Sequence, residues 1–174
     1  MKKSFVILPL VFCLIISCQD KKVVADLEEH RNMETVLEQN KEIVRQVFAA
    51  IDSNNFEKLN ELFSNDFGLM APGLEISWKL DDVSQAIETH YTSFPDWTHN
   101  IEEMIAEGDK VAVKLIQIGT HQEMYEGISA TGKRITNPAM SIMTIVDGKV
   151  KDWWVIEDNL GFMQQLGMEL QMKD

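Results

Sequence analysis

The first half of the chain carries apolar residues at helical spacing. From residue 35 to 52 they recur every three or four positions, which leaves Asp52 with the polar residues of the other face. The same spacing over residues 56 to 63 predicts a second helix, with Asn55 placed to cap its start. A third helix is predicted over residues 81 to 93, because the spacing returns there and a proline at position 95 ends it.

After residue 96 apolar and polar positions alternate instead, which predicts β-strands. In the first of these, Trp97, His99, Ile101 and Ile105 are expected to face the same side. The turn residues between the strands, above all Asp147-Gly148, are typical of hairpins. The predicted strands cover residues 97 to 106, 111 to 121, 133 to 146 and 149 to 157, and a short helix follows over 159 to 167.

Helices followed by an antiparallel meander predict an α+β fold. We expect the helices to pack on one face of a curved sheet. A sheet that curls around helices leaves a cavity at its open end, and such cavities commonly bind ligands.

The first 34 residues are expected to lie outside this domain. Two lysines precede an apolar run over residues 5 to 16, which is too short to span a bilayer but has the layout of a secretory signal. The run ends in LIISC, which resembles a bacterial lipobox with Cys18 as the lipidated residue, although an ordinary signal peptide cleaved nearby is the alternative. The expected division is a signal peptide over residues 1 to 17, a tether over 18 to 34 and one domain over 35 to 174.

Charge and cysteine content narrow the choice of partners. The formal net charge is −12, and without residues 1 to 17 the remaining 14 basic and 28 acidic residues give −14. Such an acidic chain argues against nucleic acid as a partner. The only cysteines are Cys13 and Cys18, so no disulfide is expected in the domain. We expect membrane attachment through a lipid on Cys18, in the cell envelope and facing the periplasm or the cell exterior.

Three segments together resemble a known family. They are FPDWTHNIEEMIAEGDKVAVKLIQIGTH (94 to 121), GISATGKRIT (127 to 136) and VDGKVKDWWVIEDNLGFMQQLG (146 to 167). Their order is similar to that of the SnoaL-like polyketide cyclases, also called ester-cyclase-like proteins, over about residues 41 to 168. The resemblance implies the cone-shaped fold of nuclear transport factor 2, a small-molecule ligand and dimerisation through the outer face of the sheet.

The resemblance also implies a chemistry. Family members close rings by intramolecular aldol condensation on polyketide esters, without a metal or cofactor. Their acid/base aspartate stands four residues after a tryptophan, which is the position of Asp158 after Trp154 here. A histidine after the Gly-Thr of the long strand corresponds to His121.

The residues themselves leave Asp158 open to two interpretations. It shares strand parity with Trp154 and Ile156, so it is expected to be desolvated in a pocket, which would raise its pKa and suit it as a general base. Alternatively, it caps the helix that starts near residue 159. Glu157 has the opposite parity and is expected to face the other side of the sheet or solvent.

Further candidates for the pocket come from the same patterns. His121 shares parity with apolar strand residues and could polarise a carbonyl or exchange a proton with Asp158, or could simply end a strand. His90, on the apolar face of the third helix, and His99 are candidate substrate-binding residues, as are Met140 and Trp154. No local spacing typical of a zinc site is present, so we expect neither metal nor cofactor.

Two functions are therefore predicted. The first is a cofactor-independent cyclase or isomerase that acts on a small apolar or carbonyl-containing molecule, with Asp158 as base. The second is a non-catalytic envelope lipoprotein that binds such a molecule, and a weaker third is an envelope assembly protein whose sheet face binds a partner.

Overall fold

The computed structural model describes residues 8 to 74, 77 to 169 and 171, and it describes side chains from residue 21 onward. These residues form four helices and five strands. The helices are α1 (Leu8–Asp52), α2 (Phe56–Leu62), α3 (Leu80–Ser93) and α4 (Asn159–Leu166). The strands are β1 (Phe63–Met70), β2 (Thr98–Glu107), β3 (Lys110–Thr120), β4 (Arg134–Val146) and β5 (Lys149–Glu157).

The chain divides into two compact units, residues 1 to 38 and residues 39 to 174. In the first unit, residues 8 to 38 are helical, including those predicted as a tether. The predictions of a signal peptide and of a lipid on Cys18 concern residues whose side chains lie outside the described ones. No helix within the described part of the chain is long and apolar enough to cross a membrane.

The second unit contains one sheet in the order β1-β5-β4-β3-β2. The four strands of the predicted meander pair antiparallel with their neighbours. This confirms the predicted meander, and β1, for which the sequence indicated no pairing, joins its edge in parallel with β5. This strand reaches the sheet before α3, and the chain then crosses to the opposite edge to begin the meander.

The inner face of the sheet packs against the helices. In β3 every second residue is buried, and the same alternation runs through β4. These side chains join one core with the buried faces of α1 and α2, including Val44, Val47 and Leu59. A second, mainly aromatic cluster contains Phe94, Trp97, Ile135, Phe162 and Leu166. The helical spacing and strand alternation of the sequence therefore predicted the layers of this fold correctly.

A β-bulge in β2 changes which side chains face inward. The pairing with β3 shifts between Ile101 and Glu103, so one extra residue is inserted. Beyond the bulge Met104 and Ala106 are partly buried against the core, whereas Ile105 is 61% exposed. The prediction that Ile105 faces the same side as His99 is wrong, because it assumed an uninterrupted alternation.

Local turn and cap chemistry fixes the ends of the elements. Asn55 Oδ1 accepts a hydrogen bond of 2.9 Å from the Lys58 backbone N–H, which confirms the predicted cap of α2. Asp147 and Gly148, with φ of 50° and 74°, form the predicted two-residue turn between β4 and β5. The return of β5 alongside β4 brings the end of β5 to the cavity described next.

Candidate functional site

A cavity of about 760 Å³ lies between the helices and the inner face of the sheet. Apolar and aromatic residues make up the larger part of its wall, and polar side chains from α3 and from β2 to β5 lie among them. This combination is typical of small-molecule sites. The aromatic and imidazole lining consists of Phe48, Trp78, His90, Tyr91, Trp97, His99, Tyr125, Trp153 and Phe162.

His99 lines the cavity and forms a hydrogen-bonded pair with Asp52, which is not itself part of the lining. Asp52 ends α1, and its Oδ1 lies 2.6 Å from Nδ1 of His99 near the start of β2. The His99 side chain is 8% exposed and that of Asp52 27%. A carboxylate accepts hydrogen bonds, so the imidazole donates its Nδ1–H and leaves an unprotonated Nε2 when the ring is neutral. This is the arrangement of an oriented general base.

Two further donors hold the Asp52 carboxylate in place. The Tyr91 hydroxyl donates to Oδ1 over 3.2 Å, and the His99 backbone N–H donates to Oδ2 over 3.2 Å. Burial, together with the negative charge of Asp52, raises the pKa of Tyr91 well above its usual value, so its hydroxyl stays protonated. The sequence placed Asp52 on the polar face of its helix, and nothing in that pattern indicated a partner 47 residues further along.

His90 lines the same cavity and sits in a cage of aromatic rings. Its ring centroid lies 4.7 Å from that of Phe94 in a stacked arrangement and 4.5 Å from that of Trp97 edge-on. Burial, assisted by the nearby His99, lowers the pKa of His90 from its usual 6.5 to about 4. Its Nε2 is buried with no hydrogen-bond partner among the described residues. His90 is therefore a neutral side chain in the cavity lining.

A row of polar side chains crosses the sheet at the floor of the cavity. Gln117 Nε2 donates to Glu157 Oε1 over 2.8 Å, and Asn137 Nδ2 donates to Gln117 Oε1 over 3.0 Å. The sequence offered a signal for two of these residues, since Gln117 and Asn137 have the strand parity of buried apolar neighbours. The expectation for Glu157 is corrected, because it lines the cavity.

The face assignment of β5 explains that correction. Trp153 is 7% exposed and pairs with the fully buried Met143, whereas Trp154 is 43% exposed. The inner face of the strand therefore carries Trp153 and Glu157, and the outer face carries Trp154. The prediction that Trp154 binds substrate is wrong, because Trp154 lies on the face of the sheet opposite the cavity. The two adjacent tryptophans are equally apolar, so the sequence does not indicate which of them faces inward.

Met140 also lies outside the cavity. It is 54% exposed and pairs with Ile156, which is likewise exposed, on the outer face of the sheet. The prediction that Met140 contacts substrate is wrong, because the inward side chains of β4 have odd residue numbers, such as Asn137, Ala139 and Ser141.

Asp158 is the N-cap of α4. Its Oδ1 accepts a 2.9 Å hydrogen bond from the backbone N–H of Gly161, and the residue is exposed. The expectation that it is desolvated in the pocket is wrong, since it follows the outer parity of Trp154 and Ile156. Of the two interpretations that the sequence left open, the helix cap is the one that the structure displays.

His121 is fully buried but lies behind the cavity wall. Its Nδ1 accepts from the Thr131 backbone N–H over 3.3 Å, so the neutral ring carries its proton on Nε2. Its ring stacks on Phe94 with a centroid distance of 5.1 Å. Its backbone also pairs with Gly132 and Lys133, so His121 joins the two ends of the loop between β3 and β4. In this position His121 neither lines the cavity, where it could polarise a substrate carbonyl, nor contacts Asp158.

Within the part of the chain that the structure describes, no three His, Cys, Asp or Glu side chains come together as a metal-ligand set. Several polar groups of the cavity lining are hydrogen-bonded, such as His99 to Asp52 and Gln117 to Glu157.

Comparison with known proteins identifies the family. The profile of the SnoaL-like polyketide cyclases matches residues 41–166. Aklanonic acid methyl ester cyclase DauD of Streptomyces sp. (strain C5) is 29% identical over 132 residues, covering 72% of this chain and 80% of that protein.

Solved structures show the same architecture. IdmH, a candidate polyketide cyclase of Streptomyces antibioticus, is similar with a TM-score of 0.69 and 25% identity, over 75% of this chain and 99% of that one. A candidate polyketide cyclase of Acidithiobacillus ferrooxidans gives a TM-score of 0.67 and 25% identity, over 74% of this chain and 94% of that one. These likenesses confirm the predicted α+β cone of the nuclear-transport-factor-2 type. The chain belongs to the SnoaL-like polyketide cyclase family.

Proposed function

We propose that this protein is a cofactor-independent, cyclase-type enzyme that acts on a small, largely apolar molecule with carbonyl groups. The family supports cyclase-type chemistry, and the size and aromatic lining of the cavity suit such a molecule. The observation that carries the proposal is the 2.6 Å contact between Asp52 and His99, a residue of the cavity lining. In this proposal His99 is the base, in place of the aspartate that the family resemblance implied.

The reaction would proceed by proton transfer through His99. Nε2 removes a proton from a carbon next to a carbonyl group, and Asp52 stabilises the imidazolium that forms. The resulting enolate carbon attacks a second carbonyl of the same molecule and forms a carbon–carbon bond. The oxygen of that second carbonyl then takes the proton back from His99, so the base is regenerated without any net uptake of protons or electrons.

A hydrogen-bond donor for the enolate oxygen is present near this base. Trp153 Nε1 is buried and has no partner among the described residues. The ring of Phe48 lies 5.3 Å from that of His99 and 5.9 Å from that of Trp153, so both flank the same side chain. A donor aimed at a developing oxyanion in a water-poor site lowers the barrier of such a step.

The first test is turnover of aklanonic acid methyl ester, which the relative DauD is named for cyclising. We expect the purified domain to convert this ester or a smaller diketone ester, and His99→Gln to lose that activity while melting at the same temperature. Full activity in His99→Gln would remove His99 as the base. Asp158→Asn is the matched control, because asparagine caps a helix as well as aspartate does.

A second function is favoured by one observation. The aspartate that the family resemblance implied as the base is exposed and engaged as a helix cap. The same cavity could then serve to bind and deliver a ligand without chemistry. This alternative predicts that an ester raises the melting temperature of the protein and is recovered chemically unchanged after long incubation. That result would refute the enzyme.

We also propose that two copies associate through the outer face of the sheet. Apolar side chains on three neighbouring strands are exposed there and form one continuous patch. Trp154 pairs with both Met70 and Ile142, and Ile156 pairs with Met140. A monomer at micromolar concentration in sedimentation equilibrium would contradict this proposal.

Attachment to the cell envelope is proposed from the sequence. The apolar run before Cys18 supports a lipidated protein that the membrane holds. Incorporation of labelled palmitate into the wild type, and its loss in Cys18→Ser, would test this. Labelling that persists in Cys18→Ser would contradict the attachment site.

A further inference from the structure

The polar row Glu157–Gln117–Asn137 has one internally consistent orientation. A carboxylate offers only acceptors, so Glu157 requires the Gln117 amide to turn its NH₂ group toward it. The Gln117 carbonyl then faces Asn137, and this requires Asn137 to present its NH₂ group in turn. What remains free at the end of the row is the Asn137 carbonyl oxygen. The charge of Glu157 thus determines that Asn137, two side chains away, presents an acceptor and not a donor at the end of the row.

Two buried polar side chains on β4, Asn137 at the end of the row and Ser141 further along the strand, have an atom without a partner. Asn137 is 3% exposed and Ser141 1%, and both line the cavity. Among the described residues, neither Asn137 Oδ1 nor Ser141 Oγ has a hydrogen-bond partner. Buried polar atoms are normally paired, so unpaired ones on a cavity wall indicate where a ligand's polar group binds. Since the carbonyl can only accept, the matching group of the ligand is a donor.

The charges of the cavity lining favour the same kind of group. Asp82, Glu126 and Glu157 line the cavity, and its described lining contains no lysine or arginine. His90 is neutral at physiological pH, because burial lowers its pKa to about 4. A carboxylate on the ligand would therefore meet negative charge without a cation to offset it. Hydroxyl and ammonium groups would instead find acceptors, and the rings of Tyr125 and Phe162 also favour a cation.

We infer that Glu157, Gln117 and Asn137 form a specificity-determining subsite that binds a hydrogen-bond-donating group of the ligand, a hydroxyl or an ammonium, and rejects a carboxylate. The inference rests on the proposed function only in taking the cavity as the ligand site. It does not require His99 to act as a base, although His99 pairs with Gln117 across β2 and β3 and therefore lies beside the row. Glu157 acts here on recognition, and Gln117 is the positioning residue that transmits its polarity to Asn137.

Binding of three matched aromatic probes tests the subsite. The probes are 2-naphthylmethanol, 2-naphthylmethylamine and 2-naphthoate. Each is titrated into the full-length protein at pH 7.5, and its binding is measured by isothermal titration calorimetry. In the wild type we expect the alcohol and the amine to bind at least about tenfold more tightly than the carboxylate. Equal binding of the three probes would overturn the inference, and so would tighter binding of the carboxylate or no binding of the alcohol and amine at millimolar concentration.

Two variants on β5 separate the subsite from general charge effects. Glu157→Gln removes one negative charge inside the cavity and lets the row reverse its orientation, so the preference against the carboxylate should fall to about threefold or less. Asp152→Asn removes the same charge from an exposed position of the same strand and should leave the preference unchanged. Equal effects of the two variants would overturn the inference. The wild-type ranking tests it even if Glu157→Gln does not fold.

The same probes keep this inference distinct from the proposed catalysis. Asp52→Asn changes a residue outside the cavity lining, so it should retain the ranking of the three probes while turnover falls. A wild-type protein that ranks the probes as expected but never converts an ester would refute the enzyme and leave the subsite standing. A wild-type protein that converts an ester but binds the three probes equally would refute the subsite and leave the enzyme standing.

Discussion

The carboxylate of Asp52 and the imidazole of His99 lie 2.6 Å apart, which links the last residue of α1 to a residue of β2 that lines the cavity. The two residues are 47 positions apart in sequence, so the fold alone brings them together. Their contact sets the tautomer of His99 and thereby decides which ring nitrogen is free to take a proton.

Asp52→Asn should reverse that tautomer. The asparagine can turn its NH₂ group toward Nδ1, which would then accept and leave Nε2 protonated. We expect turnover of aklanonic acid methyl ester to fall by about a hundredfold or more, with KM little changed. Steady-state kinetics measure this, and a loss confined to KM would show that Asp52 acts on binding instead.

His90 should make stability depend on pH. Its pKa is about 4 in the folded protein and near 6.5 when unfolded, so the unfolded chain binds more protons between these values. The contribution of neutral His90 to the free energy of unfolding is therefore fully present above pH 6.5 and should decline as the pH falls toward 4. From pH 7 to pH 5 we expect a loss of about 2 kcal/mol in the free energy of unfolding.

Urea denaturation of the wild type and of His90→Phe at the two pH values isolates this contribution. Phenylalanine fills the aromatic cage without titrating, so the variant should lose about 2 kcal/mol less than the wild type over the same interval. Identical losses in both proteins would mean that His90 does not titrate in this range.

Gly119 should not tolerate a side chain. A Cβ at this position would overlap the ring of Trp97, which is 3% exposed and lines the cavity. Gly119→Ala should therefore cost about 1–3 kcal/mol of stability by forcing Trp97 to shift. Chemical denaturation measures the loss, with the exposed Gln122→Ala as control, and equal stability of the two variants would contradict the close approach.

Trp154→Lys should separate the proposed dimer. It places a charge in the middle of the outer apolar patch, and the position is exposed in the single chain, so folding should not suffer. Sedimentation velocity should show a monomer, while Met124→Lys, which changes an exposed methionine in a loop, should leave the dimer intact. A dimer that persists in Trp154→Lys would place the interface elsewhere.

The sequence predicted the elements of this fold better than the sides of its strands. Periodicity located the helices and the meander because burial repeats with the period of each element. It misassigned Ile105, because a bulge inserts one residue into β2 and reverses every later side chain. It also chose Trp154 over Trp153, because adjacent residues of equal apolarity carry no signal about which of them faces inward.

The site was harder to predict for the same reasons. Once β5 was given the wrong inner face, Asp158 was placed in the pocket and Glu157 outside it. His90 and His99 were candidates on apolar parity alone, and the structure places both in the cavity lining. Asp52 could not be found at all, because a polar residue at a helix end is usual and its partner is distant in sequence.

Deuterium exchange is the most direct test of the proposed chemistry. Incubation of aklanonic acid methyl ester with the protein in D₂O, followed by NMR, measures whether protons next to the carbonyl groups are removed. We predict enzyme-dependent incorporation that is lost in His99→Gln and retained in Asp158→Asn. Incorporation that survives in His99→Gln, or that disappears in Asp158→Asn, would contradict the assignment of His99 as the base.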